Sequence, residues 1–395
     1  MTRQILTLNQ ISVKGLERLP RDSYEIASEF SSPEAILLRS HKLSTQEIPE
    51  SVYAIARAGA GVNNIPVEHC TARGIPVFNT PGANANAVKE LVATGLLLGS
   101  RGVVDGISYV QTLASIEDDA ELNKTLEANK KHFKGSELVG KTLGVVGLGA
   151  IGSMVAEMAL TLGMEVIGYD PALSVEAAWR LSSQVRKADS LAALFSRCDY
   201  ISLHLPVLDS TRGLINTELL KVVRPGTCLL NFARKEIVDE ASLIQALDDG
   251  ILRQYIADFP THALIGRKDV ILMPHIGAST DEAEDNCAIM AAEQLRDFLE
   301  NGNIKNAVNF PTLQLERESG CRLSVTNENV PKILGSVLAI LADENINVID
   351  MLNKSRDEIA YNLIDVSGPV GTDVLDRMRS LDGVINVRLI GDCGA

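Results

Sequence analysis

The stretch KTLGVVGLGAIGSMVAEMALTLGMEVIGYD, residues 141–170, decides the fold. An apolar run of strand length, LGVVG, leads into Gly147-x-Gly149-x-x-Gly152. That pattern opens a helix-length segment, and a second apolar run, EVIGY, then ends on Asp170. Glycine triplets occur in many loops, so the spacing alone is weak. With a strand before it, a helix after it and an acid at the end of the next strand, it becomes a dinucleotide-binding fingerprint. Gly147 permits the tight turn, Gly149 lets the backbone approach a pyrophosphate, and Gly152 lets helix and strand pack closely; Ala150 and Ile151 belong to the same loop. Asp170 is expected to accept hydrogen bonds from the adenosine ribose hydroxyls and to repel a 2′-phosphate. The PALS that follows offers no arginine to hold one, so NAD is expected as cofactor rather than NADP.

Outward from this unit the same rhythm continues. DYISLHLP, TCLLNFA, QYIADF and VILMPH are short apolar runs separated by helix-length segments, as in a parallel sheet covered on both faces. Before it, QILTL, AILLRS, VYAIARAG and IPVFN make a first α/β series. Between the two lies a long helical connector with a charged, solvent-facing tail. Beyond Gly320 the order becomes strand, helix, strand, strand, helix, strand, which is the ferredoxin-like βαββαβ arrangement.

The whole chain of 395 residues carries a net charge of −14 with its Lys and Arg scattered, so neither nucleic acid nor an anionic membrane surface is an expected partner. No apolar run reaches membrane-spanning length, and QILTLNQI reads as a strand, so no leader is expected. The six cysteines stand far apart without metal-ligand spacing, which reads as reduced thiols in a cytoplasmic protein and no metal site.

LVGKTLGVVGLGAIG (138–152), NFARKEIVDEASLIQAL (231–247) and MPHIGAST (273–280) resemble the D-2-hydroxyacid dehydrogenase family. LLRSHKLS (37–44) and RAGAGVNNIP (57–66) extend the resemblance into the first series. VTNENVPKIL (325–334) and LDGVINVR (381–388) resemble an ACT regulatory domain. The resemblance implies an α/β chain with a Rossmann-type doubly wound nucleotide domain (87–283) inserted in a flavodoxin-like substrate domain (1–86 and 284–313), followed by the ACT-like domain (319–395). It places the active cleft between the first two. It implies NAD-dependent oxidation of a small phosphorylated 2-hydroxy acid, with Arg234 clamping the carboxylate or polarising the C2 oxygen and His275 as general base. Phe232, Ala233, Asp258, Gly277 and Ala278 join the glycine loop and Asp170 as cofactor contacts. Arg39 and Arg57, with the backbone of Ala58, Gly59, Ala60 and Gly61, would hold the substrate's phosphate and carboxylate. Asn327, Asn329 and Asn347 would hold L-serine as effector, and a homodimer or homotetramer is implied. A dehydrogenase of another D-2-hydroxy acid, of the hydroxypyruvate or glyoxylate type, and an NAD-sensing regulatory protein are the alternatives.

Several positions depart from the family pattern. The glutamate that usually orients the histidine is missing from DFPTHAL, where His262 or Ala263 stands in its place. Lys235 follows the arginine where glycine is common. Lys332 follows Pro331 where the effector loop usually has glycine. The usual tryptophan before the nucleotide strand is absent, leaving Lys131, His132 or Lys134 to reach a partner subunit, and the only tryptophan is Trp179. Ser279 and Glu282 are placed to cap the helix that follows His275.

Overall fold

A computed structural model describes residues 2–317 and 320–391. It divides into two units, one formed by residues 85–280 and the other by the residues up to Asn84 together with those from Asp281 on.

Five strands open the chain: β1 (Arg3–Leu8), β2 (Tyr24–Ala27), β3 (Ala35–Leu38), β4 (Ala54–Arg57) and β5 (Val77–Phe78). They form a parallel sheet in the order β2-β1-β3-β4-β5, the flavodoxin-like order. The unit that follows contributes β6 (Thr142–Val146), β7 (Glu165–Tyr169), β8 (Arg186–Lys187), β9 (Tyr200–Leu203), β10 (Thr227–Asn231), β11 (Leu252–Ala257) and β12 (Val270–Leu272). Their order, β12-β11-β10-β9-β6-β7-β8, is the doubly wound one, with its switch point between β6 and β9. β9 and β10 are buried at every residue, because helices cover both faces of a parallel sheet. The last strands are β13 (Cys321–Glu328), β14 (Val348–Arg356), β15 (Ile359–Val366) and β16 (Val384–Ile390). They pair antiparallel in the ferredoxin-like order β14-β15-β13-β16.

Helix Asp281–Asn301 returns to the first sheet. Cys287, Ala288, Ala291, Ala292, Leu295, Phe298 and Leu299 recur at three- and four-residue steps on its buried face, so one stripe meets the sheet. Its small residues admit the helix Val13–Leu16 at contact distance: a Cβ added to Gly15 would stand 2.5 Å from the Ala288 Cβ. The helix begins at Asp281, one position later than a Ser279 cap would start it.

The C-terminal sheet shares this core. Alternate residues of β15, Tyr361 and Leu363, pack with Phe298 and Phe310, while their neighbours Ile364 and Val366 face the two helices of the βαββαβ module. Arg322 on β13 is wholly buried. Its Nε and Nη2 donate to the two carboxylate oxygens of Asp365, at 2.6 and 2.7 Å. The remaining N–H groups reach the carbonyls of Asn301 (3.0 Å), Leu315 (2.8 Å) and Glu316 (3.0 Å). All five donors are therefore satisfied. On β16 the Arg388 guanidinium lies 4.7 Å from the Tyr53 ring centre and 4.6 Å from that of Phe298, a cation held between two aromatic faces.

Cys70, Cys198, Cys228 and Cys287 are buried free thiols. Cys321 is disulfide-bonded, which corrects the expectation of reduced thiols throughout; Cys393 lies outside the described residues. No single helix is long and apolar enough to cross a membrane among the described residues.

Candidate active site

The glycine loop turns as its spacing requires. Gly147 sits at φ +90°, and a Cβ there would come within 2.5 Å of the His204 carbonyl oxygen. A Cβ on Gly152 would stand 1.9 Å from the Gly147 oxygen, so the helix Ala150–Thr161 meets the strand only through glycine. Around Gly149, the N-cap of that helix, there is open space within 4 Å. Backbone N–H groups at a helix N-terminus facing open space suit a pyrophosphate.

Asp170 follows the end of β7, next to this loop. Its carboxylate accepts from the Leu148 N–H (2.8 Å) and the Ala172 N–H (2.9 Å), so it braces the loop as well as facing it. Each oxygen retains a lone pair for a ribose hydroxyl. Replacing it by alanine is expected to raise the Michaelis constant for NAD and to permit NADP, because both the acceptor and the repulsion are lost. Initial rates with the two cofactors measure this, and equal use of NADP by the unaltered protein would contradict it.

Arg234 follows β10 and is half-buried, its Nη1 donating to the Ala233 carbonyl at 2.7 Å. A residue the motifs did not single out builds its loop. Asn231, fully buried at the end of β10, donates through Nδ2 to the Arg234 carbonyl (2.9 Å) and to the Tyr255 hydroxyl (3.1 Å). Its Oδ1 accepts from the N–H groups of Ala233 (3.2 Å) and Arg234 (3.3 Å). The Phe232 side chain is core, against helix Ala85–Ser100, so only its backbone is left for a cofactor.

His275 and Asp258 follow the neighbouring strands β12 and β11. The His275 N–H donates to the Asp258 carbonyl (2.8 Å) and the Met273 carbonyl (3.1 Å), and these bonds hold its backbone at φ +48°, a left-handed conformation unusual for histidine. Its imidazole packs on Phe259, centroids 4.7 Å apart, and forms no ion pair among the described residues. His262 lies exposed in the turn that follows. The carboxylate that feels the charge of His275 is Asp258: burial pushes its pKa up, while the Gly277 N–H and then the charges of His275 and Arg234 pull it down. Asp258 is 1% exposed, its Oδ2 accepts from Gly277 N–H at 2.9 Å, and its Oδ1 is buried without a hydrogen-bond partner. A buried acceptor left open costs free energy until a donor arrives. The carboxamide N–H of a nicotinamide is such a donor, so the residues present fit NAD. His204, after β9, was also unread from the sequence. Its Nε2 meets the Ser202 hydroxyl at 2.9 Å, and burial pushes its pKa down to about 3, so it stands neutral beside the glycine loop.

In the other unit, Arg39 and Arg57 follow and end adjacent strands, β3 and β4. Arg57 turns back on its own loop, Nε to the Arg39 carbonyl (2.9 Å) and Nη1 to the Gly61 carbonyl. The Ala58 N–H bonds the Leu38 carbonyl and the Gly59 N–H the Arg57 carbonyl, which leaves the N–H groups of Ala60 and Gly61 to receive an anion. The asparagines of the C-terminal module are separated. Asn327 is 4% exposed and spends its amide in a row across three strands: Asn353 donates to Asn362 (2.6 Å), Asn362 to Asn327 (2.8 Å), and Asn327 to the Glu328 carbonyl (2.6 Å). Asn329, exposed, donates to the Asp357 carbonyl (3.1 Å), whereas Asn347 lies beside Ser367 at the opposite end of the sheet. Eight-residue strands put these ends about 25 Å apart. Lys332 sits at φ +82°, the left-handed conformation that explains a preference for glycine there. Lys131 and His132 lie in a single 3-10 turn with Phe133, whose ring rests on Tyr109, and Trp179 is 85% exposed.

Residues 107–277 match the family described as D-isomer specific 2-hydroxyacid dehydrogenase, NAD binding domain. A D-3-phosphoglycerate dehydrogenase of Haemophilus influenzae is 33% identical over 384 residues, 93% of this chain and 89% of that protein. This chain belongs to the D-isomer specific 2-hydroxyacid dehydrogenases. The Escherichia coli D-3-phosphoglycerate dehydrogenase is 31% identical over 93% of this chain and 90% of its own length. Among solved structures of such dehydrogenases, the NAD+-bound 3-phosphoglycerate dehydrogenase of Entamoeba histolytica superposes with a TM-score of 0.61 at 30% identity, covering 78% of this chain and 99% of that one. Membership in the family agrees with NAD as cofactor and with the doubly wound fold around the glycine loop.

Proposed function

We propose that the chain is an NAD-dependent D-3-phosphoglycerate dehydrogenase, oxidising 3-phospho-D-glycerate at C2 to 3-phosphohydroxypyruvate, the first step of L-serine biosynthesis. The observation that carries the reading is the electrostatic neighbourhood of Asp258, which feels both Arg234 and His275 in the unit that holds the dinucleotide loop. NAD, when bound, supplies the hydride acceptor. The chain's own groups do the rest. Arg234 offers a charged planar fork to the carboxylate and C2 oxygen. His275 takes the hydroxyl proton on its ring nitrogen. Asp258 Oδ1 accepts from the carboxamide and so orients the cofactor. Arg39 with Ala60 and Gly61 receives the anionic ends of the substrate, and Arg57 fixes the loop that presents those amides.

Full-length similarity to phosphoglycerate dehydrogenases supports this substrate over an unphosphorylated 2-hydroxy acid. We also place the protein in the cytoplasm as a homo-oligomer. Val103, Ile107 and Val110 form an exposed apolar stripe on helix Val103–Thr112 that suits a second copy. L-serine is the proposed effector. Because Asn329 and Asn347 lie at opposite ends of one sheet, a ligand touching both must sit between two copies of the module. Absorbance of NADH with 3-phosphoglycerate, phosphohydroxypyruvate, D-lactate and 2-oxoglutarate tests the reading. The phosphorylated pair should turn over fastest, and millimolar L-serine should lower the rate by favouring one of two enzyme states. Turnover of D-lactate without turnover of the phosphorylated pair would reassign the substrate.

A further inference from the structure

Arg39, assigned to the substrate's phosphate, is accompanied by a carboxylate that no motif marked. Glu284, in the first turn of helix Asp281–Asn301, sets its Oε1 2.6 Å from Arg39 Nη2. One turn further on, the buried thiol of Cys287 feels the charges of Arg39, Arg57 and Glu284 together, so the three groups surround one spot at the carboxyl ends of β3 and β4. Arg57 faces its own loop. Arg39 and Glu284 are both open to solvent, with 37% and 41% of their side chains exposed. A site built only to hold an anion has no use for a carboxylate, which cancels one of two positive charges and occupies the guanidinium edge that an incoming anion needs.

We propose that Glu284 is a specificity-determining residue that competes with the substrate for Arg39, so that a doubly charged phosphate displaces it and a neutral or weakly charged group does not. This rests on the reading of Arg39 as a phosphate ligand. The pair is solvent-washed, so its hold is modest and can be broken by a stronger ligand. A phosphate monoester carries nearly two charges and three acceptor oxygens. An unphosphorylated end group carries neither, and it meets an arginine already engaged. The carboxylate thus sharpens discrimination at some expense in affinity for the correct substrate.

The test is Glu284→Gln, nearly isosteric at a solvent-exposed position, with its folding checked by circular dichroism. The Michaelis constant for 3-phosphoglycerate should fall roughly two- to fivefold, the scale of an exposed ion pair. The inhibition constant of inorganic phosphate should fall in parallel, and the Michaelis constant for D-glycerate should stay where it was. In an Arg39→Ala background the same substitution should bring no gain. An unchanged or higher constant for 3-phosphoglycerate overturns the proposal, and so does a gain that survives without Arg39, which would mean plain repulsion. If the unaltered protein does not distinguish 3-phosphoglycerate from D-glycerate, the phosphate-site reading itself falls.

Discussion

His275→Ala should lower kcat by about 10²- to 10⁴-fold, the usual worth of a positioned general base, while leaving NAD affinity intact. The separation is physical. The groups fitted to the dinucleotide are the glycine loop, Asp170 and the Asp258 carboxylate, and none of them is hydrogen-bonded to the imidazole. His275→Ala does put alanine into a left-handed backbone position. His275→Asn, better tolerated there, therefore serves as the companion variant, and both should lose turnover alike. His262→Ala should do little, since His262 is exposed and the ring beside His275 is that of Phe259. Single-turnover kinetics with fluorescence titration of NADH separates the chemical step from binding. A loss on His262→Ala equal to that on His275→Ala would show that the exposed histidine supplies the missing orienting partner.

Arg322→Met is expected to destabilise the protein by about 3–5 kcal/mol, the cost of leaving a buried partner charge uncompensated. Asp365 is 2% exposed and would keep its carboxylate inside, while the Asn301, Leu315 and Glu316 carbonyls lose their donor. The double variant Arg322→Met, Asp365→Leu should recover part of the loss, because it removes the orphaned charge but not the orphaned carbonyls. Urea midpoints of the three proteins decide it. If the double variant were no more stable than Arg322→Met, the unpaired carboxylate would not be the cause.

The glycine loop, its flanking strands and Asp170 were legible from the sequence because turn, helix start and strand end follow one another within a few residues, where local sterics dictate conformation. The same holds for most strands of the three sheets, which short apolar runs announce, whereas β2 and β8 went unread. Arg234 and His275 were implied by the resemblance of their motifs to a known family, and the structure sets both within electrostatic reach of Asp258. What escaped depends on partners far apart in the chain. Arg322 meets Asp365 43 residues later, and Arg39 meets Glu284 on a helix reached only after a whole intervening unit. Neither register nor return path has a local signature. Asn231 escaped for another reason: an asparagine at a strand end reads as a turn residue, and only its four hydrogen bonds distinguish it from one. The Asn327 row likewise shows that a polar residue in an effector loop can be consumed by the sheet itself.

The return of helix Asp281–Asn301 to the first sheet bears on the order of events during synthesis. Ile5, Leu37, Ala54 and Phe78 belong to a core whose other wall is Ala288, Ala292, Leu295 and Phe298, with Tyr361 and Leu363 behind. At typical translation rates the roughly 200 residues between Asn84 and Asp281 take about 10–40 s to emerge. Throughout that interval one face of the opening strands lacks its wall, while the other can already pack with Ile48, Ile65, Cys70 and Ile75. The intervening unit holds its own cores and can close first. The opening segment must then wait on the ribosome with the Ile5, Leu37 and Phe78 face uncovered, making it the part of the chain most in need of a chaperone.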